Sequence, residues 1–402
     1  MRGKGEGAVY KRAQDGMWCV SIELPPQDGK RRRKVIVAKT KADVLKKLAA
    51  AKVELSRSGD LPTASQTLES WLTYWVDKVA AKRVRPNVLA TYRSLVNKRI
   101  IPAIGSVRLD KLTPAHVIRM HDKMIADGLS STYALGAYRV LSKSLEDALR
   151  EGRITYNPAK RTDAPRQAVT KLETLTLDEA IELVSRAIPA LTATPYDSTP
   201  VRHAMYVLTA LRKGEMIGLE TDRIIFPTGP DGVGSIDLSW QLQRIAQRDM
   251  EKARADYEYR ELRGGLYLVR PKSRAGWRVI PLVEPLASLL RDHIARMAPN
   301  KYGLLFATPE GEPIEPRRET ALWHQTLGTM GIDRNVRTHD LRHTAVDLLY
   351  EADVHEDLIS EIVGHSTRAM TRAYKSRTKL KRRSGAMLQL SALFKSIERD
   401  AS

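Results

Sequence analysis

From Trp18 the apolar positions alternate: Trp18, Val20, Ile22 and Leu24 share one side, the period of a strand with one buried face. A second strand over Val35 to Val37 follows the turn residues Gln27-Asp28-Gly29, so a small sheet is expected. Thr40-Lys41-Ala42-Asp43 has the form of a capping box ahead of a helix carrying Leu45, Leu48 and Val53. The period then changes. Leu68, Trp71, Leu72, Trp75, Val76 and Val79 recur at helical spacing and form one apolar stripe. Tyr92, Leu95 and Val96 predict a second helix after Pro86, and Thr113-Pro114 supplies an N-cap and first-turn proline for a third. Leu135, Tyr138, Leu141, Leu145 and Leu149 predict a fourth, stopped by Asn157-Pro158.

From about residue 171 helices mix with strands, including Ile236-Asp237-Leu238 and a hairpin from Leu266 to Leu282 that turns at Ala275-Gly276. The charged stretch from Arg244 to Arg263 reads as an exposed helical insertion. Ser56 to Ser65, short and polar with Gly59 and Pro62, reads as a linker, and a loop rich in Arg, Lys and Pro runs to about residue 170. The expected fold is therefore multidomain and mainly α with small β-sheets. It comprises a sheet-plus-helix domain over 1–60, a helical domain over 65–165, and an α+β domain with a C-terminal tail over 171–402. A chain of 402 residues is too long for one ordinary core, which agrees.

Charge narrows the partner. Lys and Arg number 67 against 47 Asp and Glu, a formal charge of +20, which favours a polyanion such as nucleic acid. Neither a long apolar run nor an apolar stretch after Arg2 and Lys4 is present, so a cytoplasmic protein without a membrane partner is expected. The only cysteine, Cys19, excludes a disulfide framework and a thiolate metal cluster; a half-buried strand residue is expected there. Arg31, Arg32, Arg33 and Lys34 form a basic run that is either a solvated face or a DNA contact.

The chemistry lies further on. Thr338-His339-Asp340-Leu341-Arg342-His343-Thr344 is followed by Gly364-His365 and then Tyr374; upstream stand Leu211-Arg212-Lys213-Gly214-Glu215 and Pro271-Lys272-Ser273. Singly each is weak, but the order is specific. It resembles the tyrosine recombinase family of phage and prophage integrases. Arg212 with Glu215 is similar to that family's first box, Lys272 to its hairpin lysine, His339 with Arg342 to its second box, and His365 and Tyr374 to its last two positions. Ala210 stands where a glycine is common. The resemblance covers the whole segment from 171 onward. The helical segment before it is similar to the family's core-binding domain, and the N-terminal sheet-plus-helix segment, less specifically, to an arm-binding domain. The resemblance implies a site-specific recombinase that joins DNA through a 3′-phosphotyrosine, with Lys272 protonating the departing 5′-oxygen. It further implies double-stranded attachment sites and a homotetrameric synapse, and leaves room for a host DNA-bending protein and a directionality factor.

Physical chemistry gives these residues compatible roles. In-line attack on a phosphodiester spreads negative charge over its oxygens, and a guanidinium presents a planar fork of donors that a lysine lacks. Arg212 and Arg342 suit that task, His365 a further hydrogen bond, and His339 the tyrosine proton. Tyr374 is then the nucleophile and Glu215 orients His339 or Arg212. Lys213 and Arg274 lie close enough to compete with Lys272, and Tyr350 is the nearest rival tyrosine, expected to pack. His339 and His343 have the i,i+4 spacing of zinc ligands, but Arg342 would set a cation beside the metal. No phosphate-cradling Gly-x-x-x-x-Gly-Lys loop or carboxylate cluster is legible, so neither ATP nor a metal cofactor is expected. A topoisomerase of the same chemistry and a non-catalytic DNA-binding regulator stay open. The apolar pattern Met387, Leu388, Leu390, Leu393 and Phe394 either caps its own domain or packs on a neighbouring protomer.

Overall fold

The computed structural model describes residues 8–27, 30–58, 66–168, 173–229, 232–271, 277–364 and 377–394. The chain divides into two compact units, Met1–Val169 with Glu251–Arg254, and Thr170–Met250 with Ala255–Ser402. Among the described residues no helix is long and apolar enough to cross a membrane.

The first unit holds two hydrophobic cores. Strands β1 (Tyr10–Lys11), β2 (Trp18–Gln27) and β3 (Lys30–Ala38) form an antiparallel sheet in that order. Val20 pairs with Ile36 and Trp18 with Ala38, so the alternating positions face one core. Helix α1 (Lys41–Ser58) covers that face and is capped by Thr40, whose Oγ1 accepts from the Asp43 amide at 3.1 Å. Its register differs from expectation: Leu45 and Val53 are exposed, and Val44, Leu48, Ala51 and Leu55 meet the sheet. A helix rotated by one residue still reads as amphipathic, and only the partner sheet decides its face. Cys19 is fully buried rather than half-buried.

The second core of this unit is helical: α2 (Leu68–Tyr74), α3 (Pro86–Leu95), α4 (Ile101–Ile104), α5 (Pro114–Ala126) and α6 (Ser131–Arg150). The stripe from Leu68 to Val79 is buried throughout, although after Tyr74 it continues as a π-helical turn over Trp75–Val79. Trp75 Nε1 donates to the buried Asp147 at 2.8 Å and Arg83 donates to the same carboxylate at 2.7 Å, satisfying polar groups that burial alone would penalise. Thr113 caps α5 in a reciprocal box with His116.

In the second unit, α7 (Leu177–Ser185), α8 (Ala187–Thr192), α9 (Thr199–Thr209) and α10 (Lys213–Ile217) come first. Then follow β4 (Ile224–Ile225), β5 (Gly234–Leu238), β6 (Gln241–Arg244), α11 (Gln247–Met250), β7 (Tyr259–Arg263), β8 (Leu266–Val269) and β9 (Arg278–Leu282). Helices α12 (Leu286–Arg296), α13 (Pro316–Thr329), α14 (Asp340–Glu351), α15 (Glu356–Val363) and α16 (Arg377–Ala392) complete it.

The strands make two antiparallel sheets, β4-β5-β9 and β6-β8-β7. Two expectations fail against this topology. The strands at the ends of the Leu266–Leu282 hairpin do not pair with each other: β8 lies between β6 and β7, and β9 pairs with β5. The turn expected at Ala275-Gly276 lies outside the described residues. The 244–263 insertion is not an exposed helix either, because β7 pairs with β8 and Ile245 and Met250 bury with Tyr267 and Val269. Two of its arginines are tied down, Arg244 to Glu315 and Arg260 to Glu220, the second at 2.6 Å.

The tail closes on its own unit. Ala386, Met387 and Leu390 of α16, with Phe394 beyond it, join the core that includes Leu282 and Leu286, while Leu388 is exposed.

Candidate active site

Helix α9 is buried along its whole length and ends at Ala210, whose φ of 55° and ψ of 29° place it in the left-handed region. The reversal swings the chain so that Arg212 becomes the N-cap of α10. That short helix lies hard against β6: a Cβ at Gly218 would come within 2.5 Å of the Leu242 amide nitrogen, and one at Gly214 within 2.8 Å of the Leu242 carbonyl. Only glycines admit the approach, so two backbone contacts fix the helix that presents Arg212.

Glu215 sits in the first turn of α10 and is buried. Its Oε2 accepts the Arg212 amide at 2.9 Å and its Oε1 accepts Arg212 Nη1 at 2.7 Å. The sequence leaves Glu215 between orienting Arg212 and orienting His339; the structure gives it Arg212, and no hydrogen bond joins it to His339 among the described residues. Burial pushes the Glu215 carboxyl up, but Arg278 and then Arg212 outweigh it and hold the group at about 2.

Arg278 is a residue that sequence reasoning missed. It opens β9, is 5% exposed, and donates from both terminal nitrogens to the Glu215 carboxylate at 3.0 and 2.9 Å. A signal exists: in the strand alternation Arg278 shares a face with Ile280 and Leu282, and an inward arginine demands an acid.

The second box lies at the start of α14, with His339 at the N-cap and Arg342 in the first turn. Asp340 accepts from the Arg337 amide at 2.8 Å and from the Arg337 guanidinium, fixing that end of the helix. Arg342 is 1% exposed. Its Nη1 donates to the Ala210 carbonyl at 2.8 Å and its Nη2 to the Val363 carbonyl. Burial first, then Arg212 and Arg278 nearby, disfavour its charge and lower its pKa. His339 packs edge-on to His343, ring centroids 5.4 Å apart. Partial burial, His343 and Arg342 in that order hold its pKa below the usual histidine value.

The C-terminal end of α15 meets both boxes. Gly364 ends that helix in the left-handed conformation, φ 70°, and its carbonyl accepts Arg212 Nη2 at 3.2 Å. The carbonyl of Ile362 accepts Arg278 Nε at 2.9 Å. The last carbonyls of a helix lack intrahelical partners and carry the negative end of its dipole, which explains why they attract guanidiniums. Arg212, Arg342, Arg278 and Glu215 thus form one cluster with more positive than negative charge, suited to an added anion.

Lys272, His365 and Tyr374 lie outside the described residues, as does Arg274. Of the competitors, Lys213 is half-buried, donates from Nζ to Thr320 Oγ1 at 2.9 Å, and has its pKa lowered by burial. Tyr350, expected to pack, is 50% exposed because it falls off the Leu341, Ala345 and Leu348 face. His355 is exposed and caps α15. No group of three or more His, Cys, Asp or Glu among the described residues is placed to hold a metal ion.

The basic run of the first unit is divided by strand alternation. Arg31 and Arg33 are exposed and reach Glu23 at 3.0 and 3.4 Å. Arg32 and Lys34 stand opposite Leu24 and Ile22, on the face that packs against α1.

Residues 242–381 match the phage integrase family, and residues 67–125 match the phage integrase N-terminal SAM-like domain. An integrase of Saccharopolyspora erythraea is 26% identical over 420 residues, covering 92% of each chain. A putative prophage phiRv2 integrase of Mycobacterium tuberculosis is 26% identical over 300 residues, covering 74% of this chain and 71% of its own. Among solved structures, the Tn1549 transposon integrase in complex with a circular intermediate DNA superimposes with a TM-score of 0.62 at 19% identity, covering 79% of this chain and 98% of that one. A lambda integrase tetramer bound to a Holliday junction gives 0.54 at 17% identity, covering 91% and 98%.

Proposed function

Since the chain is a tyrosine recombinase of the phage integrase type acting on DNA, we propose that it integrates or excises a phage or mobile element through a covalent 3′-phosphotyrosine. Tyr374 attacks the scissile phosphorus, forming the Tyr–O–P bond as the P–O5′ bond breaks. His339 takes the phenolic proton and Lys272 supplies one to the departing 5′-oxygen. The free 5′-hydroxyl of a partner strand reverses the step. Bond energy stays in the phosphotyrosine, so the scheme requires neither ATP nor a metal ion.

The observation that carries this reading is the excess of guanidinium over carboxylate around Glu215. Arg212, partly exposed, meets the non-bridging oxygens; Arg342 backs it from beneath. A guanidinium has five N–H donors, and the carbonyls of Ala210 and Val363 leave Arg342 others to offer. His365 adds a further donor. The N-terminus of α14, where His339 sits, adds favourable potential for an anion.

In this reading residues 1–60 bind arm sites through Arg31, Arg32, Arg33 and Lys34, residues 65–165 and 171–402 grip the core site, and a homotetramer performs synapsis. The lambda integrase tetramer on a Holliday junction supports the fourfold assembly. A host DNA-bending protein and a directionality factor are the accessory partners, and the work is done on DNA in a bacterial host cell.

The test is capture of covalent adducts from a library of nicked duplexes, with their ends sequenced beside a Tyr374→Phe control. Adducts at one shared sequence with wild type alone support the proposal. Scattered adducts replace it with a topoisomerase, and adducts that persist in the control remove Tyr374 as nucleophile.

A further inference from the structure

The last two carbonyls of α15 and the carbonyl of its cap are claimed in order by three arginines from three places in the chain. Arg278 of β9 takes Ile362, Arg342 of α14 takes Val363, and Arg212 at the N-cap of α10 takes Gly364. Arg342 and Arg212 belong to the proposed phosphate site, whereas Arg278 does not. Yet Arg278 is the residue that also grips the carboxylate through which Arg212 is held, at 3.0 and 2.9 Å against the 2.7 Å of the Glu215–Arg212 bond. Its Nε donates to Ile362 and each terminal nitrogen donates to Glu215, so the ties that orient it are all within the protein, and the side chain is buried.

We infer that Arg278 is a positioning residue for strand cleavage: by fixing the Glu215 carboxylate and the end of α15 together, it sets the direction in which Arg212 presents its guanidinium to the scissile phosphate. The inference rests on the phosphodiester-cleavage reading above. A bidentate pair has one geometry, and Oε1 is shared between Arg278 and Arg212. If Arg278 is lost, the Glu215 carboxylate keeps only its two bonds from Arg212 itself, the amide on Oε2 and Nη1 on Oε1, and loses the outside anchor that sets the orientation of the pair. The single tie between Arg212 and Gly364 does not define a plane.

A purely structural ion pair predicts something different, and substrate chemistry separates the two. Replacing one non-bridging oxygen of the scissile phosphate by methyl removes the charge that Arg212 has to neutralise. A misaimed Arg212 matters less on that methylphosphonate; a poorly folded protein is as slow on it as on the phosphodiester. The experiment measures single-turnover covalent adduct formation by full-length protein on nicked duplexes carrying either linkage at the mapped core site. Arg278→Gln is expected to lower the rate on the phosphodiester on the order of 100-fold, the cost of displacing a reacting group by about an ångström. Duplex affinity should be unchanged, and the deficit should narrow about tenfold on the methylphosphonate, where less charge develops. An equal deficit on both linkages overturns the inference.

Because Arg278→Gln leaves Glu215 with one partner, the paired variant R278Q/E215Q, which removes both charges, is measured beside it and must show the same narrowing. Arg212→Gln is the control for the underlying reading. Normal cleavage by Arg212→Gln sinks the phosphate-clamp proposal itself; a narrowing deficit with Arg212→Gln but a constant one with Arg278→Gln sinks only the role of Arg278.

Discussion

Arg342 donates to the carbonyl of Ala210 at 2.8 Å, and Ala210 is held left-handed at φ 55°. The hydrogen bond and the strained backbone are one device, since the left-handed turn is what directs that carbonyl at the guanidinium while the chain proceeds to Arg212. The methyl group of Ala210 costs about 1 kcal/mol or more in that conformation. Ala210→Gly removes this cost but adds about 0.4–1 kcal/mol of unfolded-chain entropy. The expected outcome is a stability change between zero and a gain of about 1 kcal/mol, measured by denaturant unfolding. A loss beyond that range would show that packing of the methyl outweighs the strain.

Glu215 gives a pH signature. Its carboxyl is held at about 2 in the folded protein against an ordinary value of 4.5, because Arg278 and Arg212 overcome the effect of burial. In that window the unfolded chain binds the proton more readily than the folded one. Its contribution to stability is therefore complete above pH 4.5 and is lost as pH falls through about 2. Glu215→Gln, which leaves buried guanidiniums without their counter-charge, should cost about 3–5 kcal/mol at neutral pH. The difference between the two proteins should shrink as unfolding is followed toward acid. A difference independent of pH would mean that hydrogen bonding, not charge, carries the interaction.

His339 should titrate below the ordinary histidine value, because of partial burial, then His343 and Arg342. His343→Gln removes one of those causes and should move the His339 midpoint upward in an NMR titration. Binding of core-site DNA should move it upward too, as phosphate charge favours the protonated ring. An unmoved midpoint in His343→Gln would show that the edge-on pair does not communicate electrostatically.

Truncation after Arg383 removes Ala386, Met387, Leu390 and Phe394, all buried in the core of their own unit. Burial of each large apolar side chain contributes roughly 1.5–3 kcal/mol, so the truncated protein should melt well below the full chain and lose single-site DNA binding together with synapsis. Loss of synapsis with single-site binding and melting temperature intact would instead assign the helix to a neighbouring protomer.

How much of this is written in the sequence depends on the range over which each feature is decided. Strand β2, the stripe of α2 and the cap of α5 follow from neighbours within a few residues, and all are legible there. The placement of Arg212 and Glu215 at the start of α10, and of His339 and Arg342 at the start of α14, is local too, because short motifs fix their spacing on those elements. Tertiary structure decides the rest. Apolar alternation says that a strand has an inner face but not which strand lies beside it, so β8 and β9 resemble one hairpin and belong to two sheets. Helical periodicity marks a face without naming its partner, so the apolar residues of α1 suggest a face one residue out of phase, and those of α16 do not say which surface they pack on. Arg278, Glu215 and Ile362 are scattered along the chain, and the bonds that join them exist only once the core has brought β9, α10 and α15 together. No local pattern records such a contact, because the free energy that makes it comes from burial of surfaces that are distant in sequence.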